Sequence, residues 1–310
     1  MSKKMYNAEK IRQVAYYHQH LANVAHNMGE FRGQHEFVLK REDCLYNLFE
    51  AIRKEVPPYF EKYKITWWGE NKKVQKPTGH LVSSQIHCLN HLFALRKDDE
   101  AIKTILTNAA GLAIKKILPS PLDEDGYLSF EFVYKNKTLL GEKNETRGAK
   151  CTSIDAFIYA QLENDRKILI PIEWKYTETY SGVEAKEESL KRYPVRLNHL
   201  LPASNMKEWK DLYKADPYYE LMRQTLLVEQ IIAQHDDESL KAVDYVHIVI
   251  IPKEHSELRN AIITRYIPTL NDPSKFKIID PQELLAPLEG NKDYEDLLNY
   301  LKTRYWHTFC

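Results

Sequence analysis

Two apolar segments separated by a short polar turn give the clearest pattern along the chain. The segments 154–161 and 167–176 are rich in β-branched and aromatic residues, as is typical of strands. The residues between them, 163–166, read Glu-Asn-Asp-Arg and have the length and composition of a hairpin turn. The pattern therefore predicts a β-hairpin. Because proline donates no hydrogen bond, Pro171 in the second strand predicts a bulge or an unpaired side there.

Further periodic segments lie on both sides of the hairpin. Helical spacing of apolar residues predicts helices at 7–28, 36–56, 80–97, 101–118, 218–235, 281–289 and 293–306. Two prolines from Pro57 onward are expected to end the second of these helices. Alternation over 127–134 predicts a strand with Phe130 and Phe132 on one face and Glu131 on the other. An apolar run at 243–251 predicts a further strand.

Composition narrows the function classes. Lys plus Arg and Asp plus Glu each total 44, so the formal net charge is zero. A protein that coats nucleic acid generally would be strongly basic, so any nucleic-acid contact must rest on a local patch. The four cysteines form no CxxC pair and are expected to be reduced thiols. With no apolar signal segment and no apolar run of about 18 residues, the sequence predicts a cytoplasmic protein without membrane contact.

Charged residues occupy one end of the predicted hairpin. Side chains alternate across a strand, so Glu173 and Lys175 are expected to share a face while Trp174 points the other way. Folding the hairpin brings Asp155 beside them. Burying two carboxylates and an ammonium is costly unless their charge is compensated, and Mg²⁺ commonly takes one or two protein carboxylates. The alternative is a surface salt bridge, which the apolar flanking residues disfavour.

This arrangement resembles the PD-(D/E)XK nuclease superfamily. The first Asp of that motif corresponds to Asp155, and its (D/E)XK part to Glu173, Trp174 and Lys175. The Pro that precedes the Asp in the motif is absent here. The resemblance implies an α/β, restriction-endonuclease-like fold with an αβββαβ core, in which helices flank a mixed central sheet. The expected divisions are a helical N-terminal extension (1–76), the nuclease core (77–252) and a helical C-terminal tail packed on the core (253–310).

The resemblance also implies an activity. Asp155, Glu173 and the backbone carbonyl of Trp174 would hold Mg²⁺, or Mn²⁺ in its place, while Lys175 positions the attacking water and stabilises the transition state. The expected reaction is phosphodiester hydrolysis in DNA rather than RNA, leaving 5′-phosphate ends, in a restriction-type, defence or repair role. A homodimer is a compatible assembly. The alternative is a non-catalytic nucleic-acid-binding or assembly module that retains the fold, which the intact Asp, Glu and Lys disfavour.

Further polar residues are expected to complete the site. The predicted auxiliary active-site residues are Ser84, Gln85, Glu131 and Gln224. The predicted substrate-binding cations, most of them in a polar loop before Asp155, are Lys143, Arg147, Lys150 and Arg223. A solvated edge position is the alternative for Glu131, and ordinary solvated helix positions are the alternative for Arg223 and Gln224.

Two other motifs have competing interpretations. His87 and His91 are four residues apart and could reach one metal ion. The residues between them lack the Glu of HExxH and no third ligand is evident, so zinc is disfavoured. Between 59 and 76, lysines interleave with Tyr and Trp, a composition that can grip phosphates and stack bases. Core packing is the favoured interpretation for Trp67 and Trp68.

Overall fold

A computed structural model of the protein shows a mixed sheet covered on both faces. It describes residues 3–69, 76–134, 139–142, 147, 151–180, 200, 204–207, 211–234 and 240–306. Lys143 and Lys150, two of the predicted substrate-binding cations, lie outside these residues, as do Lys72 and Lys73. In the part of the chain that is described, no helix is both long and apolar enough to cross a membrane.

The described residues form helices and strands along the whole chain. The α-helices are α1 (Lys4–Tyr16), α2 (Val56–Lys62), α3 (Ser84–Leu92), α4 (Asp99–Asn108), α5 (Tyr218–Ala233), α6 (Ser256–Ala261), α7 (Pro281–Leu285) and α8 (Glu295–Arg304). The strands are β1 (Gly29–Glu30), β2 (Gln34–His35), β3 (Ile114–Leu118), β4 (Leu128–Phe132), β5 (Ile154–Leu162), β6 (Lys167–Trp174), β7 (Asp244–Tyr245), β8 (His247–Ile250) and β9 (Phe276–Ile279). Short 3₁₀ and π turns connect several of these elements.

The central sheet has the order β3–β5–β6–β8–β9, with β4 also paired to β5 and β7 also paired to β6. Strands β3, β4 and β6 run antiparallel to β5. Strands β7 and β8 run parallel to β6, and β9 runs parallel to β8. The predicted α/β class and mixed, restriction-endonuclease-like sheet are therefore confirmed. The sheet also extends past residue 252, because β9 lies in the segment expected to be a helical tail.

Two predicted helices are wrong in part. The helix predicted over 101–118 ends with α4, and Ile114–Leu118 forms β3 instead. Gly111, with φ of 63°, lies between the helix and the strand in a conformation that favours glycine. The segment 36–56 contains short 3₁₀ turns rather than one helix. Pro57 does not end a helix but lies in the first turn of α2, where the missing N–H costs nothing.

Two hydrophobic clusters pack against opposite faces of the sheet. On β6, Ile170 and Ile172 belong to the first cluster and Leu169 belongs to the second, as strand alternation requires. The first cluster runs from Leu48 to Trp306 and includes side chains of α3, α4 and α8. The second is built largely on α5. The first cluster thus joins the sheet to both terminal segments, while the domain boundaries remain a prediction.

Strand β4 changes the face that it presents at Glu131. Phe130 packs in the first cluster and Phe132 in the second, so the prediction that they share one face is wrong. Glu131 has φ of 48°, in the left-handed region that residues other than glycine rarely adopt. This conformation interrupts the simple alternation of the strand. The site described below uses the same residue.

Pro171 is accommodated by the arrangement of the strands around β6. The pairs of β6 with β7 are at Ile168 and Leu169, and its pairs with β8 begin at Ile172. Pro171 lies in the gap between these two parallel partners, where the absent N–H removes no ladder hydrogen bond. The second strand of the predicted hairpin is therefore confirmed, including its proline.

Candidate active site

The end of the hairpin brings the predicted acids together. The regular antiparallel register of β5 and β6 ends with Ala156 opposite Ile172. One residue further along, Asp155 comes opposite Glu173. The backbone N–H of Trp174 donates a hydrogen bond of 2.7 Å to Oδ2 of Asp155. This bond holds the Asp155 carboxylate against the strand that carries Glu173.

Lys175 lies between two carboxylates. Its ammonium forms ion pairs with Glu173 and with Glu220 of α5. The side-chain amide of Gln224, also on α5, donates to Glu173 and, at 2.9 Å, to the carbonyl oxygen of Ser153. Glu173 and Lys175 therefore share the sheet face that α5 covers.

Burial and mutual repulsion shift the pKa values of these groups. Burial and the charge of Glu220 raise the pKa of Glu173 to about 7. Burial and the charge of Glu173 raise the pKa of Asp155 well above its usual range. Burial disfavours a charged Lys175, but the attraction of Glu173 and Glu220 outweighs it and raises the pKa of that ammonium. Negative charge is thus in excess, so an added cation would be stabilised here.

These residues line a cavity of about 380 Å³. The cavity contains nine of the predicted site residues: Ser84, Gln85, Glu131, Asp155, Glu173, Trp174, Lys175, Arg223 and Gln224. It also contains side chains that the sequence did not single out for this site, among them Trp68, Ser153 and Glu220. Glu220 precedes Gln224 by one helical turn, so the helical period would have placed it on the same face.

A chain of hydrogen bonds connects two of the auxiliary residues to the hairpin. The side-chain amide of Gln85 donates to Oε1 of Glu131 at 2.8 Å. The hydroxyl of Ser153 donates to Oε2 of the same carboxylate at 2.7 Å. Burial raises the pKa of Glu131 despite these donors. Ser84 lines the cavity at the first position of α3.

Arg147 is not placed as a substrate contact. Its guanidinium is buried, where it forms an ion pair of 3.1 Å with Asp123 and donates to the backbone oxygens of Phe130 and Glu131. It also donates to the hydroxyl of Tyr59 at 3.2 Å. These contacts serve the fold, so they give no support to the predicted contact of this arginine with phosphate.

Arg223 lines the cavity but is already paired. Its guanidinium forms an ion pair with Glu142 and donates to the hydroxyl of Thr152 at 2.7 Å. Only 19% of its side chain is exposed. A phosphate could reach this arginine only at the edge of an existing ion pair.

His87 and His91 are buried and hydrogen-bonded within the core. The indole N–H of Trp174 lies 2.6 Å from Nδ1 of His87, and the indole N–H of Trp306 lies 3.0 Å from Nε2 of His91. Nδ1 of His91 lies 2.7 Å from the carbonyl oxygen of His87. Burial lowers the pKa of His91 to about 3. Both rings are thus neutral and accept hydrogen bonds from tryptophan. These contacts explain the two buried histidines without a zinc ion.

The donor set fits a hard divalent cation. Within the described residues, no group of three or more His, Cys, Asp or Glu side chains is arranged to hold a metal ion. Mg²⁺ does not require such a group, because it keeps several waters and commonly takes one or two carboxylates. Asp155 and Glu173 supply two carboxylates of raised pKa. In the same cavity, Oε1 of Gln224 is buried and has no partner among the described residues.

Comparison with known proteins finds a family model that covers almost the whole chain. A family model described as "Restriction Endonuclease associating with ARP" matches residues 10–306. No curated protein and no solved structure matches the chain. The family match covers almost the whole sequence and confirms the restriction-endonuclease-like relationship that the motif indicated. The chain therefore belongs to the family of restriction endonucleases associating with ARP.

Proposed function

We propose that the protein is a metal-dependent nuclease that hydrolyses phosphodiester bonds. The observation that carries this proposal is the convergence of Asp155, Glu173 and Lys175 at one end of the hairpin, inside a cavity of about 380 Å³. Two carboxylates and an ammonium are the groups that metal-assisted phosphodiester hydrolysis needs. The family to which the chain belongs supports the same reaction class.

The residues would divide the work as follows. Asp155, Glu173 and the backbone carbonyl of Trp174 would hold Mg²⁺ or Mn²⁺, which supplies charge stabilisation and an acidified water. Lys175 would orient the attacking water and stabilise charge on the phosphate. Gln224 holds the Glu173 carboxylate in place, and Glu220 keeps the ammonium of Lys175 charged.

DNA is the proposed substrate, in a restriction-type, defence or repair role. The family's name supports a relationship to restriction endonucleases, and those enzymes act on DNA. A non-catalytic nucleic-acid-binding module is the competing function. An inactive module would gain nothing from a repulsive pair of carboxylates of which Glu173 is buried, because such groups cost folding free energy.

The first experiment measures cleavage of circular and linear DNA by the wild-type protein and by Lys175→Ala, with Mg²⁺ and with EDTA. We expect cleavage by the wild type only with Mg²⁺. Lys175→Ala should lower the turnover rate by roughly 10²-fold or more, the scale for losing one preorganised electrostatic group. Lys175→Arg keeps the charge but not the compact donor, so it should rescue only in part. Equal cleavage by the wild type and Lys175→Ala would refute the proposed nuclease function.

A second readout of the same proposal does not need activity. Mg²⁺ or Mn²⁺ should raise the melting temperature of the wild-type protein, because a ligand that binds the folded state stabilises it. Lys175→Ala should keep that shift, since a charged lysine cannot ligate a metal. The double variant Asp155→Asn, Glu173→Gln should lose it. A shift of equal size in the double variant would mean that the ions bind elsewhere. A metal-dependent shift without cleavage of DNA or RNA would favour the non-catalytic module.

A further inference from the structure

Trp68 combines unusual exposure with a place in the candidate active site. The residue is 46% exposed, and it is the aromatic one among the large hydrophobic residues that the structure describes as exposed. Its neighbour Trp67 is buried and stacks on Phe60 with ring centroids 3.8 Å apart. Trp68 lines the same cavity as Asp155. Core packing, the interpretation favoured for both tryptophans, is therefore right for Trp67 and wrong for Trp68.

Two aromatic contacts and one backbone hydrogen bond hold the indole of Trp68 in place. It stacks on Phe31 with ring centroids 5.4 Å apart and an interplanar angle of 30°, and it meets His80 edge-on. The backbone N–H of Trp68 donates a hydrogen bond of 3.0 Å to the side-chain oxygen of Gln85. Gln85 also binds Glu131, so the position of the ring is tied to the wall of the cavity. A ring supported in this way loses little conformational entropy when a ligand stacks on it.

The charge of the cavity explains why a stacking contact would matter. Five of its lining residues are acidic, and a nucleic acid is a polyanion. Its cations are already engaged, because Lys175 pairs with Glu173 and Glu220 and Arg223 pairs with Glu142. Coulombic attraction to the described side chains is thus limited.

An aromatic face can bind a base without attracting its phosphate. Stacking on an aromatic side chain tolerates every base, because each has a π-face. Arg32, which is exposed, has its guanidinium 5.8 Å from the ring centroid of Phe31. The exposed ring of Trp68, stacked on Phe31, thus offers a base a π-face beside the cavity.

We propose that Trp68, supported by Phe31, stacks an unpaired base of the nucleotide next to the phosphate bound in the cavity. This inference rests on the proposed nuclease function. A base inside a duplex has both faces covered by its neighbours, so the ligand is a single-stranded, frayed or flipped-out nucleotide. The protein should accordingly prefer substrates that present an unpaired base beside the cleaved bond.

The test combines Trp68→Ala with a scan of abasic sites along a short single-stranded oligonucleotide, with affinity measured in EDTA so that the probe stays intact. We expect Trp68→Ala to weaken binding by about tenfold or more, the scale of one stacked base. One abasic position should weaken binding to the wild type by a similar factor and have no further effect in Trp68→Ala. Trp68→Phe, which keeps an aromatic face, should recover most of the affinity.

Ile263→Ala is the matched control, because Ile263 is 47% exposed and does not line the cavity. It should bind as the wild type does. If Trp68→Ala binds every oligonucleotide as tightly as the wild type, the stacking site is refuted. If Trp68→Ala lowers affinity by the same factor for every oligonucleotide, whichever position is abasic, the loss does not come from stacking on one base. The proposal then also fails. Cleavage by the wild type but not by Lys175→Ala would in either case leave the nuclease function standing.

Discussion

At the scale of single residues, the buried charges of the cavity work against folding. Glu173 is 2% exposed and Lys175 is 5% exposed. Removing such groups from water costs several kcal/mol for each ion, and their mutual attraction recovers this only with good geometry and further hydrogen bonds. Strongly shifted pKa values in a cavity are typical of functional sites. The pair is therefore explained better by function than by stability.

The raised pKa of Glu173 predicts a pH dependence of stability. The pKa is about 7 in the folded protein, against an ordinary value of 4.5. Between these two values the folded state binds more protons than the unfolded state, so the stability that this group contributes is complete below about pH 4.5 and lost as pH rises to 7. Glu173→Gln should remove this dependence, by up to roughly 3 kcal/mol over the interval.

The measurement is urea unfolding in EDTA from pH 5 to pH 8 for the wild type and Glu173→Gln. The difference between the two proteins reports the titration of Glu173 together with its coupling to Asp155, whose pKa the charge of Glu173 raises. Glu163→Gln, at an exposed position in the hairpin turn, controls for the substitution itself. Parallel stability curves for the wild type and Glu173→Gln would show that the carboxylate is ionised throughout this range.

The two neighbouring tryptophans show where prediction from the sequence ends at this scale. Both follow the same lysine-rich and tyrosine-rich segment, and nothing local distinguishes them. Trp67 meets Phe60 in the core, while Trp68 meets Phe31 at the surface. Burial is decided by partners that are distant in the sequence. The alternation of Glu173, Trp174 and Lys175, in contrast, depends only on strand geometry and was predictable.

At the scale of elements, the hairpin was predictable because its period, its turn and its flanks agree. β3 was missed because its sequence, IKKIL, is short and fits a helix as well as a strand. The change of sheet face along β4 at Glu131 could not be predicted from the hydrophobic pattern either. It depends on the left-handed backbone of Glu131, and no sequence rule places a glutamate there. In the loop before Asp155, Lys143 and Lys150 lie outside the described residues, so their contacts with substrate stay a prediction.

Arg147 of that loop gives a prediction at the element scale. Arg147→Met should destabilise the protein by about 3–5 kcal/mol, because it leaves the buried Asp123 without its ion pair. The salt dependence of DNA binding should stay the same, since no phosphate contact is lost. Urea unfolding and binding at several salt concentrations measure the two effects.

The control for Arg147→Met is Lys115→Met, which removes an exposed ion pair with Asp165. It should change stability by less than about 1 kcal/mol. A reduced salt slope with unchanged stability in Arg147→Met would reverse the assignment and return this arginine to the substrate.

At the scale of the whole molecule, a few buried side chains join segments that are far apart in the sequence. The buried guanidinium of Arg304 donates to the side-chain oxygen of Gln13 at 3.0 Å and to the backbone oxygen of Asn47 at 2.8 Å. The indole of Trp306 binds His91 of α3. These contacts cross both of the predicted domain boundaries, at 76 and 252. The sequence could not reveal them, because each connects positions more than 200 residues apart.

These contacts predict that the terminal segments and the sheet unfold together. Arg304→Met leaves the buried side-chain oxygens of Gln13 and Asn47 without the guanidinium donor, and each such loss costs about 1–3 kcal/mol. We expect the whole protein to lose at least about 3 kcal/mol and still to melt in one transition, seen equally by circular dichroism and by tryptophan fluorescence. Lys302→Met, on the same helix but in an exposed ion pair with Glu289, should melt as the wild type does. If the terminal segments fold independently of the sheet, calorimetry will instead resolve two transitions, and Arg304→Met will move only the one at lower temperature.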